Sequence, residues 1–94
     1  MAASTHHSDY RLLLEALKEA RQTAKVTQSS LAERLGTTQT FISKMERGER
    51  RLDFVELIEV LEELGVSPQE WLKDYLARRN AIHRQHKTSR KISC

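Results

Sequence analysis

The sequence predicts an all-α protein: a compact five-helix bundle with a basic C-terminal tail. Three observations carry this. From Tyr10 to Leu76, apolar residues recur at three- and four-residue spacing, the period of a helix with one buried face. Residues suited to N-caps precede five such stretches, and Gly36, Gly48 and Gly65 follow three of them. The β-branched and aromatic residues are scattered rather than alternating, which argues against strands. A chain of 94 residues is one domain's worth, with little surplus surface for an enzyme cleft.

The first helix is expected from about Asp9 to Ala24, capped by Ser8 or Asp9. Tyr10, Leu13, Leu14, Leu17 and Arg21 share one face, and Leu12 and Ala16 widen it. Thr27 opens a second helix of only about eight residues, with Leu31, Ala32 and Leu35 inward, and Gly36 ends it. A helix so short needs its neighbours to hold it. Thr38 caps a third, from Gln39 to about Arg47. Ile42 and Met45 point one way, and Gln39, Ser43, Lys44 and Arg47 the other. After a loop of Glu49, Arg50, Arg51 and Leu52, Asp53 caps a fourth. Phe54, Leu57, Ile58, Leu61 and Leu64 form its apolar face, and Glu56, Glu59, Glu62 and Glu63 the acidic one. The fifth start, Ser67-Pro68-Gln69-Glu70, combines a capping box with proline at the first helical position. Trp71, Leu72, Tyr75 and Leu76 follow at helical spacing, and fraying is expected from about Asn80.

The domain plan is a disordered leader over residues 1–8, the folded domain over 9–77, and a basic helical extension or disordered tail over 78–94. The net charge of +3 is unevenly spread. Arg78, Arg79, Arg84, Lys87, Arg90 and Lys91 make the tail +6 with no acid, so residues 1–77 carry −3. The folded part is therefore no uniformly basic nucleic-acid binder, and any electrostatic footprint is local. The tail can add phosphate contacts or be a solvated terminus. Cys94 is alone and terminal, which excludes an internal disulfide and a cysteine metal cluster. His83 and His86 lack a companion for zinc, so no metal, cofactor or small-molecule ligand is expected. No stretch has the ~20 apolar residues of a membrane span. The first seven residues lack the apolar core of a secretory signal. No nucleophile-elbow or metal-site spacing marks a catalytic set, so no enzyme is expected.

The stretch from Gln28 to Met45 has a specific architecture. A short helix ends at a glycine, turns within a few residues, and a second short helix begins. Ala32 is small where the two would press closest. Leu31, Leu35, Ile42 and Met45 clamp the pair to a core. This is a helix-turn-helix arrangement, whose second helix is shaped for a DNA major groove. The run Thr27-Gln28-Ser29-Ser30-Leu31-Ala32-Glu33-Arg34-Leu35-Gly36, followed by Phe41-Ile42-Ser43-Lys44-Met45-Glu46-Arg47-Gly48, resembles the Cro/repressor (XRE) helix-turn-helix family. Leu64-Gly65-Val66-Ser67-Pro68 matches that family's link between its last two helices.

The resemblance covers roughly Tyr10 to Leu76. It implies a lambda-repressor-like domain of bacterial or phage origin that works in the cytoplasm on double-stranded operator DNA, often as a homodimer. On that reading Gln39, Thr40, Ser43 and Lys44 are the base-contacting candidates. A glutamine can pair bidentately with adenine, and a lysine can donate to guanine. Gln28, Thr27, Arg47, Arg50 and Arg51 are the phosphate-contacting candidates, setting affinity and register rather than sequence choice. Arg21 and Glu46 match a pair that ties the first helix to the end of the third. Phe41 can meet a thymine methyl or pack on Met45. Lys44, Arg50 and Arg51 can also be plain solvated charges. Trp71, Leu72, Tyr75 and Leu76 are candidates for the core and for a dimer interface, because so small a domain has little room to bury all four. The competing function is a protein-binding module, such as an antitoxin that neutralises a toxin, with the acidic fourth-helix face or the basic tail as contact surface. A third is a scaffold whose groove-reading helix no longer reads sequence.

Overall fold

In a computed structural model that describes residues 8–86, five helices follow one another: α1 (Ser8–Thr23), α2 (Gln28–Leu35), α3 (Gln39–Glu46), α4 (Phe54–Glu63) and α5 (Pro68–His86). No strand occurs among the described residues. Met1 to His7, Lys87, Arg90, Lys91 and Cys94 lie outside them. The capping chemistry is as the residue types dictate. The Thr27 and Thr38 hydroxyls accept from the amides of Ser30 and Phe41 at 3.0 and 3.1 Å. Asp53 and Glu56 form a reciprocal capping box that the sequence reading overlooked, at 2.8 and 3.1 Å. At Ser67 only the forward half is formed, from the Glu70 amide at 3.3 Å, while the Ser67 hydroxyl donates to Gln69.

The turn that defines the motif is closed by Gly36. Its φ of 72° lets the Gly36 amide reach Glu33 O and the Thr37 amide reach Ala32 O, at 3.1 and 2.9 Å. A Cβ there would touch nothing within 4 Å, so the backbone angle rather than space demands glycine. Helix α2 packs on α3 and α4, α1 on α3 and α5, and α4 on α5. Leu17, Leu31, Ile42, Met45 and Leu61 fill the centre with almost no exposure. Each such side chain contributes about 1.5–3 kcal/mol relative to an exposed one. Ala32 is buried, as the close helix approach requires.

Three details differ from the sequence reading. Ser8 is already helical, so it belongs to α1 rather than to the leader. Helix α5 continues past Asn80 to His86 because it is tied along α1. Tyr75 donates its hydroxyl to Asp9 O at 2.8 Å, and Arg79 and His83, one and two turns on, reach the Asp9 carboxylate at 3.2 and 2.8 Å. Arg78 pairs with both Glu19 and Asp74. Finally, the apolar face of α4 starts one turn late. Leu57, Val60, Leu61 and Leu64 are buried, while Phe54 at the helix start is 69% exposed, left uncovered by the described residues.

Candidate nucleic-acid interface

The site is built from an interior pair outward. Arg21 is 8% exposed, on α1. Its guanidinium holds the Glu46 carboxylate through two bonds of 2.6 and 3.1 Å and donates a third to Val26 O at 2.8 Å. The side chains retain 10% and 5% exposure, so the pair is largely desolvated and every strong acceptor is used. Glu46 thereby fixes the C-terminal end of α3 against α1.

A second bond to Glu46 leads to the surface. Gln28, at the start of α2, donates Nε2 to Glu46 Oε1 at 2.9 Å, and Gln39, the first residue of α3, donates Nε2 to Gln28 Oε1 at 3.4 Å. Chemistry fixes the direction of this chain. An ionised carboxylate can only accept, so Gln28 must turn its NH₂ to Glu46 and its oxygen outward. That oxygen in turn can only accept, so Gln39 must offer it an N–H. One N–H and the carbonyl oxygen of Gln39 then remain on an exposed side chain, at the start of α3. Two candidate residues that sequence placed in separate roles are thus one device.

Thr40 and Lys44 are exposed, and Ser43 is half-buried. Arg47 donates to the Ser43 hydroxyl and chelates Glu49 at 2.9 and 3.1 Å. The hydrogen bond from Arg47 holds the Glu49 carboxyl below its ordinary range and raises the arginine correspondingly. Arg50 is half-buried: it chelates Glu56 at 3.0 and 2.9 Å and lies 4.1 Å above the Phe41 ring. Its hydrogen bonds push Glu56 down in the same way. Arg51 lies 5.0 Å from the Tyr10 ring, and the Tyr10 hydroxyl accepts from the Leu52 amide at 2.9 Å. Arg47 and Arg50 are therefore already paired with acids. Phe41 packs on the core beneath Arg50. Thr27 spends its hydroxyl on the cap, leaving the first amides of α2 to face an anion.

The dimer candidates divide. Trp71 and Tyr75 are 6% and 9% exposed and stack at 5.6 Å, with Trp71 Nε1 donating to Ala16 O at 3.4 Å. The protomer's own core consumes both, which withdraws them from an interface. Leu72 and Leu76 are 43% and 42% exposed, and Phe54 and Val55, which sequence had not singled out as surface, are 69% and 63% exposed; of these, Phe54 and Leu72 line one groove. Sequence also missed Glu49 and Glu56 as arginine partners. The Asp53-x-x-Glu56 spacing was a readable signal for the second, whereas an i, i+2 pair such as Arg47 and Glu49 leaves none.

Comparison with known proteins agrees with this architecture. A family model described as helix-turn-helix matches residues 17–71. A solved structure of an XRE-family like protein from Pseudomonas syringae pv. tomato str. DC3000 is 42% identical, with 78% of this chain and 89% of that chain covered and a TM-score of 0.73. Among curated proteins none matches this chain. The chain belongs to the XRE family of helix-turn-helix proteins.

Proposed function

We propose that this protein is a sequence-specific transcriptional regulator, acting as a repressor, that binds a near-palindromic operator as a homodimer with α3 in the major groove. Family membership supplies the coarser statement, a DNA-binding regulator domain. The observation that carries the finer one is the oriented chain from Arg21 through Glu46 and Gln28 to Gln39. It leaves one donor and one acceptor on the Gln39 amide, the pair that adenine N7 and N6 require. Thr40, Ser43 and Lys44 extend the reading surface along α3. Thr27 and Gln28 at the start of α2, with Arg47, Arg50 and Arg51 beyond α3, serve phosphates and set register.

Homodimerisation is supported by the apolar groove that exposed Phe54 and Leu72 line between α4 and α5. Such a surface matches a second copy related by two-fold symmetry. Half-sites about one helical turn apart follow from that geometry. Selection of bound duplexes from a randomised library tests the proposal. A palindromic motif is the expected outcome. Enrichment of nothing would remove it, and a single unrepeated motif would remove the dimer alone.

A second reading, a module that binds another protein, is favoured by one feature. An open groove of ≈ 390 Å³ between α4 and α5 is lined by Phe54, Leu57, Ile58, Trp71 and Leu72, with Glu62 at its rim. Recovery of a stable complex with a different protein, abolished by Phe54→Glu, would support it.

A further inference from the structure

Arg47 sits where the recognition helix ends, with both its side chain and that of Glu49 half out in solvent, at 54% and 53% exposure. Three of its five N–H donors, including the bidentate Nε–Nη2 edge, are nonetheless taken. Nε and Nη2 chelate the Glu49 carboxylate, and Nη1 donates to Ser43 on the reading face of α3. A carboxylate chelating an arginine through two oxygens occupies the place, and mimics the charge, of a DNA phosphate.

We propose that Glu49 occupies Arg47 as an internal phosphate surrogate and so lowers the protein's affinity for DNA of any sequence. This rests on the DNA-binding reading above. A duplex that engages Arg47 must displace Glu49, and the freed carboxylate then lies against the phosphate backbone. The cost falls on every duplex alike. A cognate site offsets it through base contacts on Gln39, Thr40 and Lys44, whereas unrelated DNA has nothing to offset it with. Specificity is a difference of affinities, so a penalty equal for all sequences leaves it unchanged and acts on affinity alone, lowering the occupancy of unrelated DNA at a given protein concentration. Glu56 holds Arg50 similarly, but Glu56 also completes the capping box of α4, so its role in the fold and its role in binding are inseparable. Glu49 caps nothing and is exposed, which makes it the residue that isolates the effect.

The test is a double-variant cycle on the full chain. Binding to a mixed-sequence duplex, and to a duplex enriched from the randomised library, is measured across a range of salt. Glu49→Gln is expected to tighten the mixed-sequence duplex about threefold to fivefold, the size of an exposed ion pair that no longer has to be broken. It should also steepen the slope of log K against log salt by roughly 0.9, one added phosphate contact. Both gains should vanish when Arg47→Ala is combined with it. Equal or weaker binding by Glu49→Gln overturns the proposal. So does a gain that persists without Arg47, which would mean only the removal of one negative charge. Failure of the parent and both variants to bind any duplex overturns the DNA-binding reading along with it, whereas binding by the parent that Glu49→Gln leaves unchanged overturns this inference alone.

Discussion

Glu46 holds the Arg21 guanidinium and the Gln28 amide through one carboxylate. Its removal strands the Arg21 guanidinium inside the protein, so Glu46→Ala should cost about 3–5 kcal/mol in chemical denaturation. A buried ion pair is often replaceable by apolar side chains of similar size. The double variant Arg21→Met with Glu46→Leu should therefore recover most of that loss. It should not recover base discrimination, because Gln28 would have lost the acceptor that fixes its amide. A double variant that both folds and discriminates as the parent does would show that the chain of amides is ornamental. At this scale the resemblance made Arg21 and Glu46 legible in the sequence, and the bonds found are those it implied. What sequence did not show was that Gln28 and Gln39 connect to the same carboxylate. That link depends on the angle between α2 and α3, which no local pattern encodes.

Individual helices were legible to within a residue or two wherever a cap and a glycine bracket them, as at Thr27 and Gly36. Helix α1 falls within the same margin for a local reason, although no glycine ends it: Lys25 takes the left-handed conformation at φ 61°, and the Lys25 and Val26 amides return to Gln22 O and Arg21 O at 2.9 and 3.1 Å. A side chain in that region costs roughly 1–2 kcal/mol. Glycine is free of that strain but loses about 0.5–1 kcal/mol in chain entropy. Lys25→Gly should therefore stabilise the protein by about 0.5–1 kcal/mol, seen as a raised thermal midpoint. A lowered midpoint would mean that the lysine side chain contributes something its exposure does not suggest. Helix α5 outran its apolar pattern for the opposite reason. Its last turns are held by polar contacts to Asp9, far away in sequence, and hydrophobic periodicity is blind to those.

Over the whole molecule, Asp9 joins the two ends of the described chain. Burial pushes its carboxyl up, but the His83 hydrogen bond and the charges of Arg79 and His83 outweigh this and leave it below its ordinary value. With the folded value the lower one, the contribution is complete above the unfolded value and lost as pH falls through the folded one. The difference in thermal midpoint between the parent and Asp9→Asn should therefore shrink as pH falls below about 4. A difference that instead grew in acid would reverse the assignment. The same view places an open, largely apolar groove between α4 and α5 and the exposed polar start of α3 on one small domain. Whether Gln39, oriented through Gln28, reads a base is tested by comparing Gln39→Ala with the parent on the library-enriched duplex and on every single-base variant of it. Discrimination at one adenine per half-site should fall by about 1–3 kcal/mol while the other positions and the salt slope are unchanged. An equal loss on all sequences, with a shallower salt slope, would make Gln39 a backbone contact instead of a base reader.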